Sequence, residues 1–237
     1  MQRYFCNNNK ETYSLNKEDS YHIIKVMRYK IGESLEIVNN SILTICTITN
    51  IENNIVYVKE FKKEKTNNEL EMSITLAQSL VKEQKMDYII QKTTELGISE
   101  IIGIQADRSI ININGKDKKK LERWNKIAKE ASEQSKRNKI PTFSNIININ
   151  ELTKLDYDLK LMCSVNEETI SIKKVLSNIK NNDRIIFVIG PEGGFTEKEE
   201  KLLKSNGFVS ISLGDRVLRT ETASLFVMSC INYELMR

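Results

Sequence analysis

The spacing of apolar residues changes near residue 70 of the chain. Before that point, short β-branched segments separated by asparagine-containing turns predict strands. The predicted strands cover residues 2–6, 34–38, 42–49 and 55–61. A short helix is predicted from Asn16 to about Met27. Several short strands with one helix are typical of a small β-barrel, which we expect over residues 1–66.

A polar, charged segment at residues 62–71 has no regular period and marks the expected domain boundary. After it, apolar strands alternate with amphipathic helices. The predicted strands cover 74–78, 101–105, 142–147, 159–165, 185–189 and 208–213, and the predicted helices cover 82–96, 118–138, 150–155, 169–179, 198–204 and the chain from about 220. This alternation predicts an α/β domain over residues 72–237, with a mostly parallel sheet covered on both faces.

Two glycine-containing loops, which begin at Gly190 and Gly214, follow two of the predicted strands. The first has the sequence GPEGG and precedes a capping box formed by Thr196 and Glu199. Ligands of open α/β sheets bind beyond the carboxyl ends of strands, and glycines let the backbone approach them closely. Neither phosphate-binding glycine motif is present, so the pattern favours a flat, uncharged group such as adenine. An ordinary strand-to-helix turn would also explain the first loop.

Positive charge is concentrated in residues 116–139, which hold ten Lys and Arg against four Asp and Glu, whereas the whole chain has a net charge of +4. A basic helix of this kind suits binding to a phosphate backbone, although a solvated helix face has the same pattern. The apolar positions of this helix, among them Trp124, are expected to pack in the core.

The cysteines and the histidine do not predict a metal site. Four scattered cysteines without a CxxC pair and a single histidine, His22, lack the clustering of zinc ligands. His22 is interpreted as a packed or capping histidine. The N-terminal residues lack the apolar core of a signal peptide, and no apolar run approaches the roughly 20 residues of a membrane span. Because separate cysteines also suit a reducing compartment, a cytoplasmic protein without membrane contact is expected.

Six motifs, in the same order along the chain, resemble one known family. They are YHIIKVMRYKIGE (21–33), KMDYIIQKTTELGI (85–98), ADRS (106–109), LERWNKIAKEASEQSKR (121–137), IGPEGGF (189–195) and LGDRVLRTETA (213–223). Together they resemble the RsmE-type 16S ribosomal RNA uridine-N3 methyltransferases of the SPOUT, or α/β-knot, superfamily. The chain departs from that pattern at Tyr21, where a second histidine is expected, and at Met27, where leucine is usual.

The resemblance implies a fold and a reaction. It implies a trefoil knot at the C-terminal end of the α/β domain, a PUA-like barrel that contributes to RNA binding, and a homodimer formed at the knot. A merely stabilising barrel, and a last helix whose wide apolar arc only packs in the core, are the alternatives. The implied reaction is methyl transfer from S-adenosylmethionine to nitrogen-3 of a specific uridine in 16S ribosomal RNA of the small subunit. A different RNA target, such as a ribose 2′-hydroxyl, and a non-catalytic RNA-binding assembly factor are the other functions considered.

Three sets of site residues follow from the resemblance. The cofactor is expected on loops after three strands, at Leu161, Gly190, Glu192, Gly193, Leu213, Gly214 and Leu218. Glu221 is expected to position, or accept a proton from, the uracil imide while Arg219 stabilises the anion, and Glu192 could share these roles. Glu221 could instead only interact with a helix dipole. RNA contacts are expected at Arg3, Arg28, Arg108, Lys119, Arg123, Arg137 and Arg216, with a surface ion pair as the alternative for Arg108.

Overall fold

The chain, seen in a computed structural model, divides into two units. The structure describes residues 1–7, 10–66, 68–109, 111, 118–179 and 183–235. The first unit comprises Met1–Glu69 and Ser132–Lys139, and the second comprises Leu70–Ala131 and Ile140–Arg237. Residues 116 and 117, which begin the predicted basic segment, and residues 236 and 237, which end the predicted α/β domain, lie outside the described residues.

The first unit is built on a five-stranded sheet. Its strands are β1 (Arg3–Phe5), β2 (Thr12–Ser14), β3 (Ser34–Asn39), β4 (Ile42–Glu52) and β5 (Ile55–Glu64), in the spatial order β1-β3-β4-β5-β2. β1 pairs parallel to β3, and the other pairs are antiparallel. Four of these strands are predicted by their apolar pattern. β2 was missed because its three residues contain a single buried side chain, Tyr13, which is too few to define a period.

The predicted N-terminal helix forms in two parts. Helix α1 (Lys17–Tyr21) begins after Asn16, whose side-chain oxygen accepts a hydrogen bond of 2.8 Å from the Asp19 amide. A π-helical turn, His22–Val26, follows directly. Nδ1 of His22 lies 2.9 Å from the hydroxyl of Tyr4, and the two rings meet edge to face. The interpretation of His22 as a packed histidine is therefore confirmed.

Arg3 and Arg137, both expected to bind RNA, are buried within the first unit at 3% and 4% exposure. The Arg3 guanidinium donates to Glu36 at 2.8 Å and to the Asn138 side chain at 2.8 Å. Arg137 donates to Glu69 at 2.6 Å. Burial favours a raised pKa for Glu36, but hydrogen bonds from Arg3 and a nearby lysine outweigh it and lower the pKa below its usual value. Neither arginine presents its charge to solvent, so we assign both a structural role instead.

The second unit contains a six-stranded sheet in which every pair of neighbouring strands is parallel. Its strands are β6 (Ser73–Ser79), β7 (Glu100–Gln105), β8 (Thr142–Asn148), β9 (Leu159–Cys163), β10 (Arg184–Ile189) and β11 (Val209–Ile211), in the spatial order β11-β9-β10-β6-β7-β8. The helices are α2 (Glu83–Glu95), α3 (Lys118–Gln134), α4 (Ile149–Thr153), α5 (Ile172–Leu176), α6 (Glu197–Ser205) and α7 (Thr220–Leu235). The predicted α/β architecture with a parallel sheet is confirmed.

Two apolar clusters cover the faces of this sheet. Successive residues of β10 alternate between them, since Phe187 belongs to one cluster and Val188 to the other. The first cluster includes side chains from α2, α3, α5 and α7, among them Trp124 at 3% exposure, and the second includes side chains from α4 and α6. In the part of the chain that the structure describes, none of the helices is long and apolar enough to cross a membrane.

Several elements are shorter than the sequence predicts, among them α3 and β9, which end at Gln134 and Cys163, and two further elements have an identifiable cause. The helix expected at 169–179 is limited to Ile172–Leu176. Before it, the Glu167 carboxylate accepts hydrogen bonds from the backbone amides of Thr169 and Ile170, and these bonds form a turn in place of the first part of the helix. The strand expected at 208–213 ends at Ile211. The amide of Ser212 instead donates to the Ile170 carbonyl at 2.8 Å, which ties the chain after β11 to the segment before α5.

Candidate functional site

Three neighbouring strands deliver three loops to one edge of the second unit's sheet. β9 lies between β11 and β10, and Leu161 is in register with both Val209 and Phe187. Because the three strands are parallel, their carboxyl ends lie side by side. The loops that begin at Ser164, Gly190 and Ser212 are therefore adjacent, as the sequence predicts for a ligand site at this edge.

The loop after β10 is a tight turn that is stabilised by hydrogen bonds within it and from Arg108. The Gly194 amide donates to the Pro191 carbonyl at 2.9 Å, and Gly194 has a φ of +68°, which favours glycine. The predicted capping box is confirmed, since Thr196 and Glu199 exchange both hydrogen bonds at the start of α6. The Arg108 guanidinium donates to the Gly193 carbonyl at 2.9 Å. Arg108, expected to contact RNA or form a surface ion pair, thus supports the backbone of this loop.

The loop after β11 is exposed from Gly214 to Val217. Gly214 has a φ of +110°, and its amide donates to the Ser212 hydroxyl at 3.2 Å. On either side, Leu213 and Leu218 are half-buried against the first apolar cluster. A Cβ added at Gly194 or Gly214 would meet nothing within 4 Å, so the backbone of both loops borders open space. The glycine backbone and the apolar side chains of Leu213 and Leu218 therefore lie next to each other in this loop.

Leu161, expected to contact the cofactor, lies inside β9 rather than in a loop. Its side chain is fully buried at 0% exposure and belongs to the first apolar cluster. Its backbone pairs with β10 on one side and with β11 on the other. We therefore assign Leu161 to core packing, since both its side chain and its backbone are engaged in the sheet.

A buried chain of polar side chains joins the first glycine loop to α7. Thr220 donates to the Gly190 carbonyl at 2.9 Å and accepts from the Gln78 side chain at 3.0 Å. Ser224 donates to the Gln78 amide oxygen at 2.6 Å. Gln78 is fully buried near the end of β6, and the sequence analysis missed it. The sequence does contain an indication of its role, because Gln78 is a polar residue in an otherwise apolar strand. A buried polar side chain in such a strand is expected to have a hydrogen-bond partner.

Replacing Gln78 with leucine is expected to destabilise the protein by about 1–3 kcal/mol, because polar partners lose their buried hydrogen bonds. The Gly190 loop then loses its support, and affinity for the nucleoside that this loop is predicted to bind is expected to fall about tenfold or more. Thermal unfolding and calorimetric titration with S-adenosylmethionine measure the two effects. Gln105→Leu at the end of β7 is the matched control and should leave the affinity unchanged. Unchanged affinity in Gln78→Leu would contradict the assignment.

Four charged residues lie at or beside the junction of these loops with α2 and α7. Glu221 lies in the first turn of α7 with 16% of its side chain exposed, and Arg219 is exposed one residue before the helix. Lys85, in the first turn of α2, donates to Glu192 and lies 3.4 Å from Oε2 of Glu221. The hydrogen bond with Glu192 raises the pKa of Lys85, and the same bond lowers the pKa of Glu192. Lys85 was missed because its partners are remote in sequence.

The comparisons with known proteins place this chain in a family. Residues 68–232 match the model of an RNA methyltransferase domain, and residues 15–61 match that of an RNA methyltransferase PUA domain. The chain is 35% identical over 248 residues to the ribosomal RNA small subunit methyltransferase E of Bacillus subtilis, covering 99% of this chain and 97% of the relative. The chain belongs to the methyltransferase E family. The expected resemblance is thereby confirmed.

Solved structures of similar proteins contain a cofactor. The methyltransferase E from Neisseria gonorrhoeae bound to S-adenosyl methionine has a TM-score of 0.89 and 30% identity, covering 98% of this chain and 97% of that one. A methyltransferase from Legionella pneumophila in complex with the same cofactor has a TM-score of 0.89 and 28% identity, covering 98% and 96%. Within the described residues of this methyltransferase, no group of three or more His, Cys, Asp or Glu side chains is placed to hold a metal ion.

The remaining basic residues expected to bind RNA differ in their surroundings in this methyltransferase. Arg123, on α3, forms ion pairs with Glu83 and Asp87 of α2, so its charge is already paired. Lys119, also on α3, and Arg216, in the second glycine loop, are exposed. Arg28 is exposed in the first unit, with a φ of +57°. Arg108 and Arg123 are exposed as well, but their guanidinium groups are held by the Gly193 carbonyl and by two carboxylates, respectively.

Proposed function

We propose that the protein transfers a methyl group from S-adenosylmethionine to nitrogen-3 of a specific uridine in 16S ribosomal RNA of the small subunit. The observation that carries this proposal is the hydrogen bond from Thr220 to the Gly190 carbonyl. It joins the first glycine loop to the start of α7, where Arg219 and Glu221 lie. This bond supports the proposal because it holds the proposed cofactor-binding loop next to the two proposed reactive side chains.

The proposed cofactor contacts are backbone groups of the two glycine loops. They involve Gly190, Gly193, Leu213, Gly214 and Leu218, with Glu192 beside them. Open space next to the glycines and the half-buried leucines support a bound adenosine. When bound, S-adenosylmethionine supplies a methyl group on a positively charged sulfur, which a nucleophilic nitrogen attacks in line.

Uracil nitrogen-3 carries a proton that must leave before this nitrogen can form a new bond. Glu221 is proposed to accept this proton, since its side chain lies in the first turn of α7 next to the loops. Arg219 is proposed to stabilise the imide anion that results, because an exposed guanidinium beside the site offers positive charge and several donors. Glu221 also lies in the first turn of the helix, where a negative charge interacts favourably with the helix dipole. This stabilising interaction is compatible with the proposed role as proton acceptor.

RNA binding is proposed at exposed basic residues of both units. Arg28 in the first unit, and Lys119 and Arg216 in the second, are open to solvent and suited to phosphate contacts. We propose that residues 1–66 form a PUA-like barrel that contributes to this binding and that residues 72–237 form the α/β-knot domain. A trefoil knot is supported by the pairing of Ser212 with the segment before α5 and by the return of α7 to the Gly190 loop.

A homodimer through α7 is proposed from the distribution of its apolar residues. Val227 and Ile231 are fully buried in the core. On the same helix, Phe226 is 38% and Tyr233 is 79% exposed, so the apolar surface extends beyond the side that packs on the sheet. A second copy of this chain would cover it. The cytoplasm, where ribosomal RNA is found, is the proposed location.

The test is methylation of RNA with a labelled cofactor. Purified protein is incubated with methyl-labelled S-adenosylmethionine and either naked 16S ribosomal RNA or unmodified 30S subunits, and the methylated nucleosides are separated. Label in N3-methyluridine supports the proposal. Label in a ribose 2′-O-methyl nucleoside would favour the other target, and no label with either substrate would favour a binding factor. Neither alternative is favoured by the relatives, which are named as methyltransferases.

A further inference from the structure

Lys85 occupies a position that is electrostatically unfavourable for a lysine. It lies in the first turn of the 13-residue helix α2, where the positive end of the helix dipole repels cations. Lysine is normally favoured at the opposite end of a helix. A cation in this position therefore requires compensation from negative charge nearby.

Two carboxylates from different segments provide this compensation. Glu192 belongs to the first glycine loop and is hydrogen-bonded to Lys85. Glu221 belongs to α7, and its Oε2 lies 3.4 Å from the Lys85 nitrogen. With three donors on one ammonium group, Lys85 can hold both carboxylates at once, and its positive charge offsets their mutual repulsion. Lys85 therefore connects the loop of the proposed cofactor site to the proposed proton acceptor.

Oε2 of Glu221 has a further property. It is buried from solvent and has no hydrogen bond of good geometry within the described residues, although the Lys85 nitrogen lies 3.4 Å away. A buried acceptor without a well-placed donor is costly, and in native proteins such atoms call for an explanation. The imide N–H of uracil is a donor of the right kind. Oε2 is thus held beside Lys85 while it retains the capacity to accept a hydrogen bond from a substrate.

We propose that Lys85 is a positioning residue for methyl transfer, which clamps Glu192 and Glu221 together and directs Glu221 at the uracil imide. This inference rests on the proposed function. The charged groups that face the pair from neighbouring segments are Lys82, before α2, and Arg219, before α7, both of which act on Glu192.

Lys85→Met is the principal test, because methionine keeps the length of the side chain and removes its charge. Through lost orientation of Glu221, kcat is expected to fall about tenfold or more. Affinity for S-adenosylmethionine and the KM for RNA should stay within about threefold. Lys85→Arg should restore part of the activity.

A double-mutant cycle shows whether Lys85 acts through Glu221. In a Glu221→Gln background, Lys85→Met should have little further effect on kcat. An equal loss in both backgrounds would overturn the inference. Lys92→Met is the matched control, because Lys92 lies on the same helix and pairs with Glu95 at 2.8 Å. This control should leave kcat unchanged, and a loss of kcat equal to that of Lys85→Met would also count against the inference.

A measurement without substrate separates this inference from the proposed function. Crystal structures of the unsubstituted protein and of Lys85→Met are compared. In the unsubstituted protein the Glu192 and Glu221 carboxylates should share the Lys85 ammonium group, and in Lys85→Met they should move apart, whatever RNA the enzyme acts on. Unchanged positions of both carboxylates in Lys85→Met would overturn the inference even in an active enzyme. Absence of methyl transfer together with separated carboxylates would reject the proposed function while supporting the clamp.

Discussion

Replacing Arg219 with alanine is expected to lower kcat for methyl transfer by about a hundredfold or more. The reason is that the imide anion of uracil loses its proposed counter-charge in the transition state, and removing one such stabilising group typically costs two to three orders of magnitude. The side chain is exposed and lies beside the glycine loops rather than in the core. Affinity for S-adenosylmethionine should therefore stay within about tenfold, or ~1.4 kcal/mol.

Single-turnover methylation and calorimetric titration measure the two quantities in the Arg219 variant. Lys201→Ala, which removes an exposed cation from α6, serves as control and should change neither. If turnover in Arg219→Ala matched that of the unsubstituted enzyme, Arg219 would have no part in the reaction. A loss of cofactor affinity large enough to account for the lost turnover would instead assign Arg219 to cofactor binding.

Replacing Arg137 with methionine is expected to destabilise the first unit by about 3–5 kcal/mol, because the substitution leaves the buried Glu69 carboxylate without its partner. The side chains of this ion pair are only 5% and 7% exposed. Lys139→Met, at an exposed position two residues later, should stay within about 0.5 kcal/mol. Denaturant unfolding measures the difference.

The same variant separates a structural role for Arg137 from RNA binding. If Arg137 contacted a phosphate, Arg137→Met would be as stable as the unsubstituted protein but would bind RNA more weakly, with a smaller salt dependence. Unchanged stability together with weaker RNA binding would support the prediction that Arg137, in the basic segment at residues 116–139, contacts RNA. We expect the opposite, which is lost stability and, for any protein that remains folded, an unchanged salt dependence.

The elements that sequence predicted well are those whose pattern is local. Ile185–Ile189 is an apolar run with glycines behind it, and it forms a buried strand that ends in a loop. Thr196 and Glu199 are three residues apart, and they form the predicted capping box. The adjacency of the two glycine loops also follows from a general property of parallel sheets, in which the carboxyl ends of strands lie at one edge.

The residues that sequence misjudged have partners far along the chain. Arg3 was expected to contact RNA, yet its acceptors include Asn138, 135 positions later. Lys85 lies 107 positions from Glu192, and Gln78 lies 142 positions from Thr220. A charged or amide side chain has the same appearance in a sequence whether it is solvated or buried with a partner. Only the fold decides which of the two applies.

The most direct test of the account is a crystal structure of the protein with S-adenosylmethionine bound. The account predicts that the adenosyl group lies between the loops at Gly190–Gly194 and Leu213–Leu218, in contact with their backbone, and that Glu221 and Arg219 border the methyl group. A nucleoside bound at another place on the molecule would contradict it. So would crystals grown at saturating cofactor in which these two loops close on each other and leave no room for an adenosine.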